Sequence, residues 1–221
     1  MSNTGSDADD FGTADLFVNK AYEKRRFLFE QTGLELELLV SPATATDHDL
    51  TGQILWPGAH ILADYLAQTA SAFTAACELG AGLGLVSLVC AARHCPVVAT
   101  DHSEEVLSVL AQNCSLNRLK HPVRCMQLDW GDECHVLQVL EASPQQQGYP
   151  LLLGADVCYN LNAMHKLFAA ASRLLARNAS ARFMLAYVSR AATLDRSFSN
   201  DTSLWLWFHQ AIHSRCCLRE V

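Results

Sequence analysis

The chain has no Cys-x-x-Cys pair, no Gly-Lys-Ser or Gly-Lys-Thr, no excess of positive charge and no uninterrupted apolar run of membrane-spanning length. Each absence removes a class. Without paired cysteine spacing, and with Cys216 and Cys217 adjacent, no zinc site is expected and no metal ligand is assigned. Without Gly-Lys-Ser/Thr there is no phosphate-binding P-loop. A formal net charge of -7 leaves no overall cationic footprint, so no nucleic-acid partner is expected; an acidic chain fits a basic partner better. No membrane association is expected. The opening MSNTGSDADD has no apolar targeting core, and residues 1–20 read as a disordered tail. The nine cysteines lie mostly in apolar runs, which fits reduced thiols and a cytoplasmic or nuclear protein.

Apolar residues are 50% of the 221, enough for one sizeable core, so residues 21–221 are expected to form a single domain. FLFEQTGLELELLV (27–40) alternates Leu with Glu and predicts a hairpin. GAHILADYLAQT (58–69) has helical spacing after Pro57. Strands then alternate with helices. The strands are 72–79, 96–101, 123–129, 151–156 and 181–189. The helices are 84–94, 103–119, 162–177 and 203–214, with Ser103 and Asn160 as N-caps. Residues 130–150 read as a loop with one or two helical turns. This pattern predicts an α/β fold: a doubly wound, mostly parallel, Rossmann-like sheet with helices on both faces and an N-terminal hairpin extension.

The chemistry-bearing residues fall at strand ends. CELGAGLGL (77–85) follows the first sheet strand and opens a helix, where glycines let backbone N–H groups approach a ligand. A dinucleotide fingerprint would place glycine at 85, which is Leu. The glycines are at 80, 82 and 84, preceded by Glu78, a form typical of S-adenosylmethionine sites. There the acid can pair with the ligand's amino group. Asp101 ends the second strand about 20 residues after Gly80, where a ribose-binding acid belongs. Asp129 and Trp130 end the third, suited to an adenine amino group and ring. The fourth, LLLGAD, runs buried into Asp156, with Tyr159 three residues on.

With these stretches the chain resembles the eukaryotic seven-β-strand protein-lysine methyltransferases of the methyltransferase-like group. GQILWPGAHILADYL, CELGAGLGLVSL, ATDHSEEVLSVLAQNCSLN, QLDWGD and GADVCY carry the likeness. The resemblance implies methyl transfer from S-adenosylmethionine to a protein side chain, lysine first. It places Trp56, Glu78, Gly80, Gly82, Asp101, Trp130 and Ala155 around the cofactor, and Asp156 and Tyr159, an Asp-x-x-Tyr pair, at the substrate. Two other functions stay open: methylation of a small molecule or RNA base, although Asn-Pro-Pro-Tyr is absent, and a non-catalytic binding protein that keeps the fold. RCCLREV can supply a sixth strand but leaves no residues for the family's seventh, which normally lies between the fifth and sixth. The fifth strand is therefore expected to keep an unpaired edge, which would favour aggregation or dimerisation.

Overall fold

The computed structural model describes residues 22–41, 52–187 and, as backbone, 217–220. Strands β1 (Glu23–Phe29) and β2 (Leu34–Val40) form the expected antiparallel hairpin, with Gly33 at φ +62° in its turn. Leu36, Leu38 and Val40 are buried, so alternate residues of β2 face the core. Lys24 and Arg26 pair with Glu37 across the exposed face. Such pairs contribute about 0–1 kcal/mol each, so the apolar face anchors the hairpin.

A six-stranded sheet follows, in the order β5-β4-β3-β6-β7-β8. Its strands are β3 (Ala76–Leu79), β4 (Val97–Asp101), β5 (Val123–Gln127), β6 (Leu151–Ala155), β7 (Arg182–Tyr187) and β8 (Cys217–Glu220). The first five are parallel and β8 is antiparallel. The helices are α1 (Pro57–Thr69), α2 (Leu85–Ala92), α3 (Glu104–Leu116), α4 (Glu133–Glu141) and α5 (Leu161–Leu174). Strand β6 shows why both faces are covered. Leu151 and Leu153 pack with α1, α2 and the hairpin, while Leu152 packs with α4 and α5. The order of strands reverses beside β3, which opens a crevice at the carboxyl ends of β3, β4 and β6.

Side chains from α3 fasten the hairpin to this sheet. Asn113 Oδ1 accepts from the Leu39 N–H at 2.7 Å, and its amide donates to the carbonyls of Leu39 and Leu83. One helical turn later, Asn117 Oδ1 accepts from the Glu37 N–H at 2.9 Å and its amide donates to the Glu37 carbonyl. Residues four apart on a helix are separated by about 6 Å, and residues two apart on a strand by nearly the same distance. Two side-chain amides can therefore pair with the edge of β2 as a strand would.

Three expectations are corrected. Residues 133–141 form a full helix, α4, capped by Asp132, whose carboxylate accepts from the Cys134 and His135 N–H groups. Within 72–79 only Ala76–Leu79 is strand, because residues 70–72 make a 3-10 turn. The edge of β7 is not open: β8 pairs with it from Met184↔Glu220 to Tyr187↔Cys217. Pairing with the chain's own last strand satisfies the edge N–H and C=O groups, so the expected aggregation loses its basis. The predicted helix 203–214 and tail 1–20 lie outside the described residues.

Asn113 is fully buried, and truncating it would orphan the Leu83 carbonyl and the Leu39 peptide. Asn113→Ala should destabilise the fold by about 1–3 kcal/mol, read as a lower midpoint in urea unfolding. An unchanged midpoint would show that the clamp carries no stability.

Candidate active site

Strand ends β3, β4, β5 and β6 bring most of the predicted residues together. The glycine turn after β3 is closely surrounded. Gly82, at φ +53°, has its N–H on Asp101 Oδ2 at 3.1 Å, and a Cβ there would meet the Gly52 carbonyl oxygen at 3.0 Å. Gly80, at φ +71°, lies beneath Trp130: an added Cβ would meet Val157 Cγ1 at 2.9 Å and Trp130 Cζ2 at 3.4 Å. Only glycine combines this backbone conformation with so little room. The third glycine serves packing instead, since a Cβ on Gly84 would overlap Leu110 Cδ1 of α3 at 2.0 Å.

Asp101 is buried at the end of β4. Besides Gly82, it accepts from the Ser103 N–H at 3.2 Å and lies 3.2 Å from His102 Nδ1. That contact raises the pKa of His102, whose ring is otherwise exposed. Ser103 caps α3 as expected, accepting from the Val106 N–H, with Glu104 and Glu105 in the first turn. Glu78 is 1% exposed. Its Oε2 accepts from the Ser87 N–H at 3.0 Å and the Ser87 hydroxyl at 2.5 Å, so β3 is tied to the first turn of α2. Burial pushes the Glu78 carboxyl up to about 8, with a smaller push from the Asp101 charge, against the lowering effect of Ser87.

Asp129 is exposed; its Oδ1 accepts from the Gly131 N–H at 2.8 Å, and its own N–H donates to His135 Nδ1. Trp130 is half-buried over the glycine turn. Trp56 is half-buried at the N-cap of α1, without a side-chain cap. Ala155 ends β6, paired with Ala186.

Asp156 adopts φ +55°, a left-handed conformation that Asp tolerates better than most residues. Its N–H donates to the Ala186 carbonyl at 2.7 Å, and its Oδ2 accepts from the Gly58 N–H at 2.6 Å. The end of β6 thus supplies the cap that α1 lacks from Trp56. A Cβ on Gly58 would meet Asp156 Oδ2 and the Ala186 oxygen, both at 2.7 Å. Tyr159 is 62% exposed, beside Asn160, which caps α5 through the Asn162 and Ala163 N–H groups. Partial burial, and secondarily the Asp101 charge, raise the Tyr159 phenol. Gly52, Gly58 and Ser87 escaped the sequence reading. Only Gly58 carried a signal, as a glycine directly after a helix-opening proline. Among the described residues, no cluster of His, Cys, Asp and Glu could hold a metal, and no helix is long and apolar enough to cross a membrane.

A family model described as lysine methyltransferase matches residues 42–203, a span that contains every residue above. The chain is similar to a mouse protein named histone-arginine methyltransferase METTL23, 28% identical over 170 residues, which are 75% of this chain and 63% of the relative. It is also similar to the protein-lysine N-methyltransferase EFM3 of Chaetomium thermophilum, 31% identical over 156 residues, 65% of this chain and 45% of that one. The chain therefore spans less than two thirds of either relative. A T. thermophilus 16S rRNA N2 G1207 methyltransferase (RsmC), in complex with AdoMet and guanosine, shares the fold. Its TM-score is 0.60 at 15% identity, over 91% of this chain and 50% of that chain.

The raised Glu78 pKa has a consequence for stability. The unfolded carboxyl loses its proton near 4.5, whereas the folded one keeps it to about 8. Stability from this group is fully present below the lower value, falls as pH rises between the two, and is level above. Glu78→Gln should remove that loss. Its melting temperature relative to wild type should climb from pH 5 to pH 8, and parallel pH profiles would contradict the assignment.

Proposed function

The chain belongs to the lysine methyltransferase family, and on that premise we propose that it transfers a methyl group from S-adenosylmethionine to a nitrogen of a protein side chain. The reading leads with lysine. A second reading, arginine, is favoured by the name of the mouse relative. The free thiols of the seven cysteines whose side chains are described support a cytoplasmic or nuclear site of action.

One observation carries the proposal: the glycine turn lies between the buried Asp101, the indole of Trp130 and Val157, which follows Asp156 at the end of β6. These residues fit the cofactor. A carboxylate offers about four acceptor positions, and the Asp101 contacts use three. One remains for a ribose hydroxyl, and the exposed His102 can yield a second. Glu78 Oε1 accepts no hydrogen bond among the described residues, which leaves it for an ammonium group. A cation there would favour the ionised form of Glu78, so binding should release a proton. Asp129 Oδ2 is similarly left for an adenine amino group. Trp130 and Trp56 would cover the ligand. When bound, the cofactor supplies an electrophilic methyl on a sulfonium.

The chain's own residues orient the nucleophile. In an in-line displacement the C–N bond forms as the C–S bond breaks, so alignment supplies much of the rate. Asp156 would hold the incoming amine by charge, with its carboxylate plane fixed by Gly58. Tyr159 would form one wall of the approach. A lysine must shed a proton to attack, since its ordinary pKa is about 10.4.

Asp156→Asn separates charge from structure. Asparagine still accepts from the Gly58 N–H and tolerates the left-handed backbone. With radiolabelled S-adenosylmethionine and protein extract, the variant should lose about 100-fold in methyl transfer while keeping its melting temperature and its affinity for S-adenosylhomocysteine. Amino-acid analysis of the labelled hydrolysate then separates methyl-lysine from methyl-arginine. Unchanged labelling in the variant would refute the role of Asp156. Label released by RNase rather than protease would refute the protein substrate.

A further inference from the structure

Charge is segregated across the sheet. The carboxyl ends of β4, β5 and β6 and the turns that follow carry Asp101, Asp129, Asp132 and Asp156. The connections entering β3 to β7, residues 70–75, 93–96, 117–122, 142–150 and 175–181, contain no Asp or Glu. They and the first residues of the strands they feed carry Arg93, Arg118, Lys120 and Arg124, with Arg177 and Arg182 further along the edge. No ion pair among the described residues engages any of these six. The Arg93 Nε is buried and bonded to nothing among the described residues. His94 and His121 lie between these cations, with ring centroids 6.2 Å apart. Two acids border the patch: Glu141, last in α4, and Glu37, which Lys24 and Arg26 engage. Helix dipoles account for Arg93, at the C-cap of α2, but not for Lys120 in a loop or Arg124 in β5.

One of these cations, Arg124, lines a groove of about 260 Å³ together with Pro96, Pro122, Ala142 and Tyr149, and Lys120 and Arg93 lie close in sequence to its two prolines. It lies at the opposite end of the strands from the glycine turn. We propose that this edge docks an acidic protein segment with an apolar centre. The cations would meet its carboxylates and the groove its apolar side chains. Charge complementarity sets the sign of the partner, and the groove sets its kind. A single-stranded nucleic acid is held by aromatic platforms for its bases, and Tyr149, the aromatic ring lining the groove, is buried. The chain's overall charge of -7 also opposes a long polyanion, whereas a short acidic segment meets the local patch alone. This inference does not depend on the methyl-transfer reading.

The test uses the full chain and a fluorescein-labelled peptide of two leucines between runs of four glutamates, followed by anisotropy. Arg118→Glu with Lys120→Glu should weaken binding at least about tenfold, while the melting temperature and affinity for S-adenosylhomocysteine stay at wild-type values. Arg124→Gln, a milder change in the groove lining, should weaken it several-fold. A peptide with serines in place of the leucines should bind several-fold less tightly. The proposal is overturned if the charge-reversed chain binds as well as wild type. It also fails if the serine peptide binds equally, or if a single-stranded oligonucleotide of matched charge binds more tightly than the peptide.

Discussion

The hydrogen bond from the Gly58 N–H to the Asp156 carboxylate, at 2.6 Å, holds the two halves of the candidate site in register. One partner ends the central strand β6; the other opens the helix that follows Trp56. A helix start has N–H groups without intrahelical partners, and a carboxylate from another element both accepts from them and complements the dipole. The contact is tight because Gly58 also lies against the Ala186 carbonyl, where no Cβ fits. The same carbonyl accepts from the Asp156 N–H. Strands β6 and β7 and helix α1 therefore meet within one small network, and Asp156 keeps its left-handed backbone because that network fixes it on both sides.

Two further contacts repeat this logic one and two strands away. Asp101 holds the glycine turn through Gly82 and the start of α3 through Ser103. Glu78 holds the start of α2 through Ser87. Each acid at a strand end fastens the beginning of a helix, and in the proposed function each would thereby be fixed for a ligand. Structural and binding roles need not be alternatives. A carboxylate with several acceptor positions can perform both, and the fixed geometry is what a small cationic or hydroxyl-bearing ligand requires.

Much of this was legible in the sequence because it depends on local pattern. Buried parallel strands read as short apolar runs, and LLLGAD and PVVATD do so plainly. The acids that end them stand out against that background. The caps Ser103 and Asn160 were readable because capping is a relation between neighbours. What could not be read depends on distant contacts. Asn113 and Asn117 look like ordinary polar residues of a helix until β2, more than seventy residues earlier, lies beside them. Helix α4 was obscured by the glycine before it and the proline and glutamine tract after it, although Asp132, Val136 and Val139 had suitable spacing. The pairing of β8 with β7 is a choice among available edges, and the sequence of RCCLREV does not encode which edge it takes.

The burial of the site is graded, and the gradient bears on the size of the substrate. At the glycine turn, Glu78 and Asp101 are almost completely buried, so a ligand there would be held in a shaped cradle. Past the end of β6, Tyr159 is 62% exposed and Leu161, the first residue of α5, 44% exposed, an open apolar lip close to Asp156 in sequence. A small molecule is usually bound by enclosure, with most of its surface buried in a pocket. An open lip does not enclose. It suits a side chain that enters from a larger body, whose own surface completes the wall around the reacting nitrogen and excludes water as it docks. The same openness suits recognition that draws on contacts outside the crevice, because one side chain in an open channel offers little area for discrimination. The graded burial thus supports the proposed protein substrate over a metabolite.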